Sequence, residues 1–264
     1  MHDSIQEMGW EIVHEESVDN PGNHSRLWDA NEICHVLKHD MGTIAVQSIT
    51  LNVAKIKDLH LSAKTLSSMD NLKFLNFYKA NFGKGNLHFP YGVEFWSNKL
   101  RLLRWDYYPS KSLPATFSAE NIVTMKMFNS ELTKLWDGVQ NLTNLKEILL
   151  CESEYMVELR DFSKAKLLKD VDLDFCTRLR SVHPSILTLP NLTHLRLADC
   201  KALTSLTSNT PLKSLTFLVL SGCSRLREFS VTSDKRLELF LSNTAINDDL
   251  CSSSGHRGMA TLKN

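Results

Sequence analysis

Three observations predict an α/β fold, a leucine-rich-repeat solenoid with a curved parallel sheet on its concave face and a short helical N-terminal segment. The first is a phrase, Asn-Leu-x-x-Leu-x-Leu-x-x-Cys-x-x-Leu, complete in Asn191 to Leu203 and recurring along the chain. The second is its spacing. Units marked by Val46, Leu72, Leu100, Ile122, Leu145, Leu168, Leu192 and Leu215, with a degenerate one near Arg236, follow at intervals of 21 to 28 residues. Repeats of that length are single strand-and-return units that bury their apolar face only by stacking on neighbours. The third is period-two alternation: the fourth and sixth positions of each unit are apolar, as in Ile148 and Leu150 or Leu195 and Leu197. Such alternation turns one face of a strand inward and the other outward.

In chain order, residues 1–41 lack the repeat. Ile5, Met8, Ile12 and Val13 form an amphipathic stripe, a second helix is expected from Asn31 to Lys38, and Asn20-Pro21-Gly22-Asn23 between them reads as a turn. This segment is expected to cap the exposed edge of the first repeat. Repeats occupy 42–246. Their ninth position is Cys in Cys176, Cys200 and Cys223 and Ser in Ser153, a place where a small thiol packs in the core, so these cysteines read as structural. Residues 247–264 form a polar tail, expected to be disordered.

Composition narrows the function. Thirty basic residues balance thirty acidic ones, which argues against a nucleic-acid-binding surface spread over the molecule. No run reaches the length of a membrane span, and the first residues carry acids where a secretory signal would be basic and apolar. Cytoplasmic, and also nuclear, residence is the expectation. Of the three sequons, those at Asn141 and Asn191 arise from the repeat phrase itself and carry little weight for secretion. His35 and His39 stand at helical i, i+4 spacing, but no third ligand follows, and no metal site is expected.

No catalytic group is expected either. Asp170, Asp172 and Asp174 alternate along one strand on an open face, without the enclosure that paired-carboxylate chemistry requires, and read as a solvated acidic patch available to a partner. Arg196 joins them as a candidate. Aromatic residues at outward positions, Phe74, Tyr78, Tyr107, Phe128, Phe175 and Phe217, are the stronger candidates for partner binding, because a solvated face does not need them. Trp96, Trp105 and Trp136 read as core or turn residues.

The motifs then become specific. Met1-His2-Asp3, Met8-Gly9-Trp10-Glu11-Ile12-Val13, Ser25-Arg26-Leu27-Trp28-Asp29, Leu100 to Trp105, Tyr108-Pro109, Lys111 to Pro114, Leu135 to Leu142 and Leu220 to Ser224 resemble plant disease-resistance receptors. The class is the Toll/interleukin-receptor, nucleotide-binding, leucine-rich-repeat (TIR-NBS-LRR) one, and the resemblance runs to about Ile246. It implies that residues 1–41 are a remnant of the winged-helix end of the nucleotide-binding module, with His2 as ADP sensor and Asp3 beside it. It also implies a protein partner for the repeats, a pathogen effector or guarded host protein, and a nucleotide-binding module held in cis or in trans. ADP or ATP belongs to the full-length family. The family's phosphate-cradling Gly-x-x-x-x-Gly-Lys-Ser/Thr loop does not occur in this sequence, and Phe82 to Asn86 imitates it without the right spacing. No cofactor is expected in this chain.

Overall fold

A computed structural model of the chain describes residues 3–80, 86–90, 92–94, 96–233, 235–246 and 260–263, with Asp3 and 260–263 described through the backbone alone. His2 and most of the expected tail lie outside the described residues. The chain divides into two compact units, Met1–Asp106 with Thr116–Ser118, and Tyr107–Ala115 with Ala119–Asn264.

The first unit opens with helix α1 (Asp3–His14), a single 3₁₀ turn at Pro21–Asn23, a short strand β1 (Arg26–Leu27) and helix α2 (Ala30–Lys38). Each boundary has a local cause. The Asn20 side chain accepts from the Gly22 N–H at 3.0 Å, and the Asp29 carboxylate caps α2 by accepting from Asn31 and Glu32 N–H at 2.8 and 3.0 Å. Beyond α2, Asp40 takes a left-handed conformation (φ 51°) while the Met41 N–H returns to the Val36 carbonyl at 2.9 Å, a Schellman-type stop. The edge is covered by β1 and α2. Strand β1 pairs in parallel with β2 (Ser48–Asn52), and Ile33, Val36 and Leu37 of α2 are buried. The stripe on α1 behaves otherwise: Val13 is buried, but Ile5, Met8 and Ile12 are each 61% exposed. The periodicity is that of an amphipathic helix; its apolar face is turned to solvent rather than onto the first repeat.

Four further strands complete this unit: β3 (Leu59–His60), β4 (Phe74–Tyr78), β5 (Leu87–His88) and β6 (Leu102–Trp105). The strands β1-β2-β4-β6 lie side by side in parallel, and β3 pairs with β5 on the return side. In the second unit the repeat strands are β7 (Thr124–Lys126), β8 (Glu147–Leu149), β10 (Asp170–Asp172), β12 (His194–Arg196), β14 (Phe217–Val219) and β16 (Leu237–Phe240). The interleaved return strands are β9 (Glu158–Leu159), β11 (Ser181–Val182), β13 (Ser205–Thr207) and β15 (Glu228–Ser230), pairing β9 with β11 and β13 with β15. Strand β17 (Ala260–Lys263) runs parallel to β16. Both units are leucine-rich-repeat solenoid, one strand per turn, every pairing in parallel register.

The repeat phrase has a reason at each end. Its leading Asn donates from Nδ2 to a carbonyl of the preceding turn: Asn71 to Ile44 at 2.8 Å, Asn144 to Glu120 at 2.9 Å and Asn191 to Lys166 at 2.7 Å. At the ninth position, buried Cys176, Cys200 and Cys223 donate from Sγ to the carbonyls of Leu150, Leu173 and Leu197 at 3.4, 3.3 and 3.0 Å. Ser153 does the same to Met127 at 2.9 Å and meets the Ser130 hydroxyl at 2.8 Å. Burial pushes the Cys176 thiol up to about 12, and Cys200 is likewise raised, by the Cys223 contact and by burial.

Just before that position the second unit carries a column of left-handed residues, one per turn: Tyr107, Asn129, Glu152, Phe175, Asp199, Gly222 and Asn243, with φ between 53° and 79°. Each of the first six donates its N–H to the next turn, for instance Glu152 to Asp174 at 2.9 Å and Phe175 to Ala198 at 2.7 Å. The left-handed twist ends each strand and turns the chain into the core, which is how the following thiol comes to point inward.

Candidate functional site: the outward strand face of the second unit

In a repeat strand the third, fifth and seventh positions face out. On the second unit they bring together, rung by rung, Lys126 and Glu147, Asp170 and Asp172, His194 and Arg196, then Phe217, Glu238 and Phe240. Polar groups are matched across neighbouring rungs. Lys126 Nζ lies 3.1 Å from Glu147 Oε2, His194 Nδ1 lies 2.9 Å from Asp170 Oδ1, and Arg196 Nε lies 3.3 Å from Asp172 Oδ2. These residues are partly exposed, so each pair contributes little stability, about 0–1 kcal/mol. Their main effect is to fix the shape and sign of the surface.

Asp174 corrects the expectation of a solvated patch. It is buried, its Oδ1 accepts from the Ala198 N–H at 2.7 Å, and its Oδ2 accepts from Arg196 Nε at 2.8 Å, with a second, shorter contact to the same guanidinium. The seventh position lies where the strand enters the left-handed turn, so the side chain is drawn under the next rung. Burial and then the Asp172 charge push the Asp174 carboxyl above the ordinary carboxylate value, against the opposing pull of the Ala198 amide and Arg196. The hydrogen bond to Asp174 in turn raises Arg196. Cys151, half-buried on the same face, is raised by burial and then by Asp172 and Asp174.

The aromatic candidates divide. Phe74, Tyr107 and Phe175 are exposed, whereas Tyr78, Phe128 and Phe217 are half-buried. The Arg104 guanidinium sits 5.3 Å from the Tyr78 ring centre in the first unit. Phe217 lies between His194 at 5.7 Å and Phe240 at 5.3 Å, the rings tilted to one another, and beside them His194, Thr216, Phe217, Arg236 and Glu238 line an open depression of about 400 Å³. Sequence reasoning missed His194, Phe240 and Arg236. The alternation that placed Phe217 outward places His194 and Phe240 outward as well.

The start of α2 offers no free amides to a phosphate. The amides at the start of α2, where a phosphate would bind, already serve the Asp29 carboxylate, whose charge repels an anion. Asp3 opens α1 by its backbone, and His2 and residues 81–85 lie outside the described residues. Among the described residues no group of three or more His, Cys, Asp or Glu is placed to hold a metal ion, and no helix is long and apolar enough to cross a membrane.

One strand per turn, an Asn–carbonyl link between turns and a thiol ladder beneath an open, self-paired strand face define a leucine-rich-repeat protein built to present a surface. No family model matches the chain. Among known proteins it is similar to three from Arabidopsis thaliana. It is 38% identical to "Disease resistance protein RML1A" over 94% of this chain, and 37% identical to "Disease resistance protein RPP2A" over 92%. To "Disease resistance protein RPS6" it is 40% identical over 87%. The chain belongs to the plant disease-resistance proteins of the TIR-NBS-LRR class. It spans 25%, 19% and 20% of the length of those three relatives.

Proposed function

We propose that this chain is a recognition module of plant innate immunity. Its strand face in the second unit contacts a protein, a pathogen effector or a guarded host component, and its first repeats restrain a nucleotide switch. The observation that carries this reading is the strand face itself: polar side chains paired across the rungs frame a row of tilted rings, His194, Phe217 and Phe240, beside an open depression. Partly exposed aromatic surface framed by fixed polar groups is what protein interfaces use at their centres. The printed names of the relatives, disease resistance proteins, supply the context. The test is proximity labelling in plant cells with the chain and with Phe217→Ser and Phe240→Ser variants. The reading expects a set of labelled proteins that disappears in the variants at unchanged protein level; a set that persists unaltered refutes it.

A second reading, that the chain works as part of an ADP- or ATP-binding switch, is favoured by one feature. The apolar face of α1, Ile5, Met8 and Ile12, is exposed, as the end of a further module would be when that module is not beside it. In this reading residues 1–41 pack on a nucleotide-binding module supplied in cis or in trans, and the nucleotide sits there. Replacing Ile5 and Ile12 by Ser is expected to leave the repeats folded, by circular dichroism, while abolishing co-purification with that module; retained co-purification removes the reading.

A further inference from the structure

We infer that the edge of the second unit where its repeat strands begin is a docking site for an acidic segment of a protein partner, laid along Lys146 and Lys169 toward the depression beside Phe217. The inference rests on the reading of the repeats as a protein-recognition surface and gives that surface a partner chemistry.

Two independent observations lead here. The first is unpaired positive charge on one edge. The second positions of successive strands form a column joined by backbone hydrogen bonds: the Lys169 N–H donates to the Lys146 carbonyl at 2.9 Å, Thr193 to Lys169 at 2.9 Å and Thr216 to Thr193 at 3.0 Å. Adjacent rungs lie about 4.8 Å apart, so Lys146 and Lys169 stand side by side. Lys164 and Lys166 enter the same edge just before Lys169, the Lys166 carbonyl accepting from Asn191 Nδ2 at 2.7 Å. Lys213 takes the place of Lys166 two turns on, and Arg236 begins the turn after that. All six are exposed and none makes an ion pair among the described residues, whereas Lys126, Lys134, Arg160 and Arg196 elsewhere in the unit all do. The acids beside the edge are engaged: Glu147 with Lys126 at 3.1 Å, Asp170 with His194 at 2.9 Å, and Asp161 with the Ser163 N–H at 2.7 Å. Between Lys169 and Arg236 the column carries Thr193 and Thr216, whose hydroxyls donate to carbonyls at 3.1 and 3.2 Å. Carboxylates stand at its two ends, Glu120 one turn before Lys146 and Glu238 in the depression. In a chain of thirty basic and thirty acidic residues, this edge is a local excess that attracts the opposite sign.

The second observation is where the depression lies. Thr216 and Arg236 belong to the edge, while His194, Phe217 and Glu238 belong to the strand face, so the hollow of about 400 Å³ opens where the two meet. A segment running along the lysines therefore reaches a place for an apolar side chain against Phe217, the anchor that a charged edge by itself lacks. The same layout favours a peptide over a phosphate backbone. The carboxylates of Glu147, Asp170 and Glu238 flank the edge and repel a chain charged at every step. An extended peptide sends alternate side chains to opposite sides, so its acids meet the lysines while the residues between them point elsewhere.

The test uses the full chain and a fluorescein-labelled Glu-Leu-Glu-Leu-Glu-Phe peptide, with its Lys counterpart as control, read by anisotropy. The acidic peptide is expected to bind, more weakly as salt rises, and the Lys peptide not to. Lys146→Gln with Lys169→Gln is expected to weaken binding about fivefold and to flatten the salt dependence, at unchanged Tm, since both side chains are exposed and unpaired. Lys134→Gln with Lys201→Gln removes the same charge elsewhere in the unit and is expected to leave binding as it was. No binding of the acidic peptide, equal binding of the Lys peptide, or equal effects of the two double variants overturns the inference. Tighter binding of a thymidine oligonucleotide or of phosphatidylserine vesicles than of the acidic peptide overturns the choice of a protein segment. Labelling in plant cells separates this claim from the strand-face reading. If Phe217→Ser empties the labelled set and the Lys146→Gln, Lys169→Gln variant leaves it intact, the strand-face reading stands and this one falls; loss in both supports both.

Discussion

Two turns of the first unit are built on rings at the position where the turns of the second unit carry leucine or methionine. At the sixth repeat position the first unit has Phe77 and Trp105, joined edge to face at 4.9 Å, with Phe89, Trp96 and Phe117 packed around them. The second has Leu150, Leu173, Leu197 and Leu220, and beneath them the Cys176, Cys200 and Cys223 ladder. The difference follows repeat length. The intervals from Val46 to Leu72 and from Leu72 to Leu100 are the longest in the chain, and the second of them contributes Phe89 and Trp96 from its own return segment. Longer returns enclose more space, and rings fill it at interior density. Near-equal turns superimpose, so the same small residue fits at every rung. Regular spacing therefore permits a repeated core, and irregular spacing demands a fitted one.

Removing a fitted piece is the sharpest way to break that contrast. Trp105→Ala is expected to cost about 3–5 kcal/mol by urea denaturation, since Trp105 is almost wholly buried among three other rings. Hydrogen exchange should then show lost protection in β2, β4 and β6 with protection retained in β10 to β14; uniform loss would mean that the two cores open together.

Arg196→Ala tests the polar side of the regular unit. It strips the buried Asp174 carboxylate of its counter-ion, at a cost of about 3 kcal/mol at neutral pH. The sign with pH is fixed. Asp174 already lies above the ordinary carboxylate value in the folded chain, and losing Arg196 raises it further, so the folded variant binds more protons than its unfolded chain between those values. The deficit is therefore full above the folded value and shrinks as pH falls toward the unfolded one. A pH-independent deficit would place the loss in packing.

Gly222→Ala probes the turn column. Its φ of 79° disfavours a Cβ, which would also come within 2.7 Å of an Asp199 oxygen. The carboxylate can swing aside, so the expected loss is that of the backbone, about 1–2 kcal/mol. The smallest effect is expected from Cys200→Ala, about 1 kcal/mol, for a sulfur and one weak hydrogen bond. A loss near that of Trp105→Ala would mean the ladder is as finely fitted as the aromatic cluster.

Much of this was legible in the residues. The apolar fourth and sixth positions placed Ile148, Leu150, Leu195 and Leu197 in the core, and the turn and second helix of the N-terminal segment fall within a residue or so of their expected limits. What period two could not express is the end of the strand. Asp174 continues the alternation on paper, but the left-handed turn that follows draws it inward. That turn was itself hidden, because Tyr107, Glu152 and Phe175 are not the residues that announce it. On α1 the spacing of Ile5, Met8 and Ile12 defines an apolar face, yet a single sequence does not say what lies against that face. The candidate site was legible to the same degree: Phe217 and Arg196 were singled out, but their pairing with Phe240 and Asp172 depends on register between turns.

The thiol ladder has one more consequence. Each thiol of the ladder is buried and out of reach while its rung is closed, so an alkylating reagent can mark it only when that rung opens. Cys176, Cys200 and Cys223 occupy three successive turns. The chain thus carries its own set of clocks, and the order in which they are stamped would tell from which end the solenoid unzips.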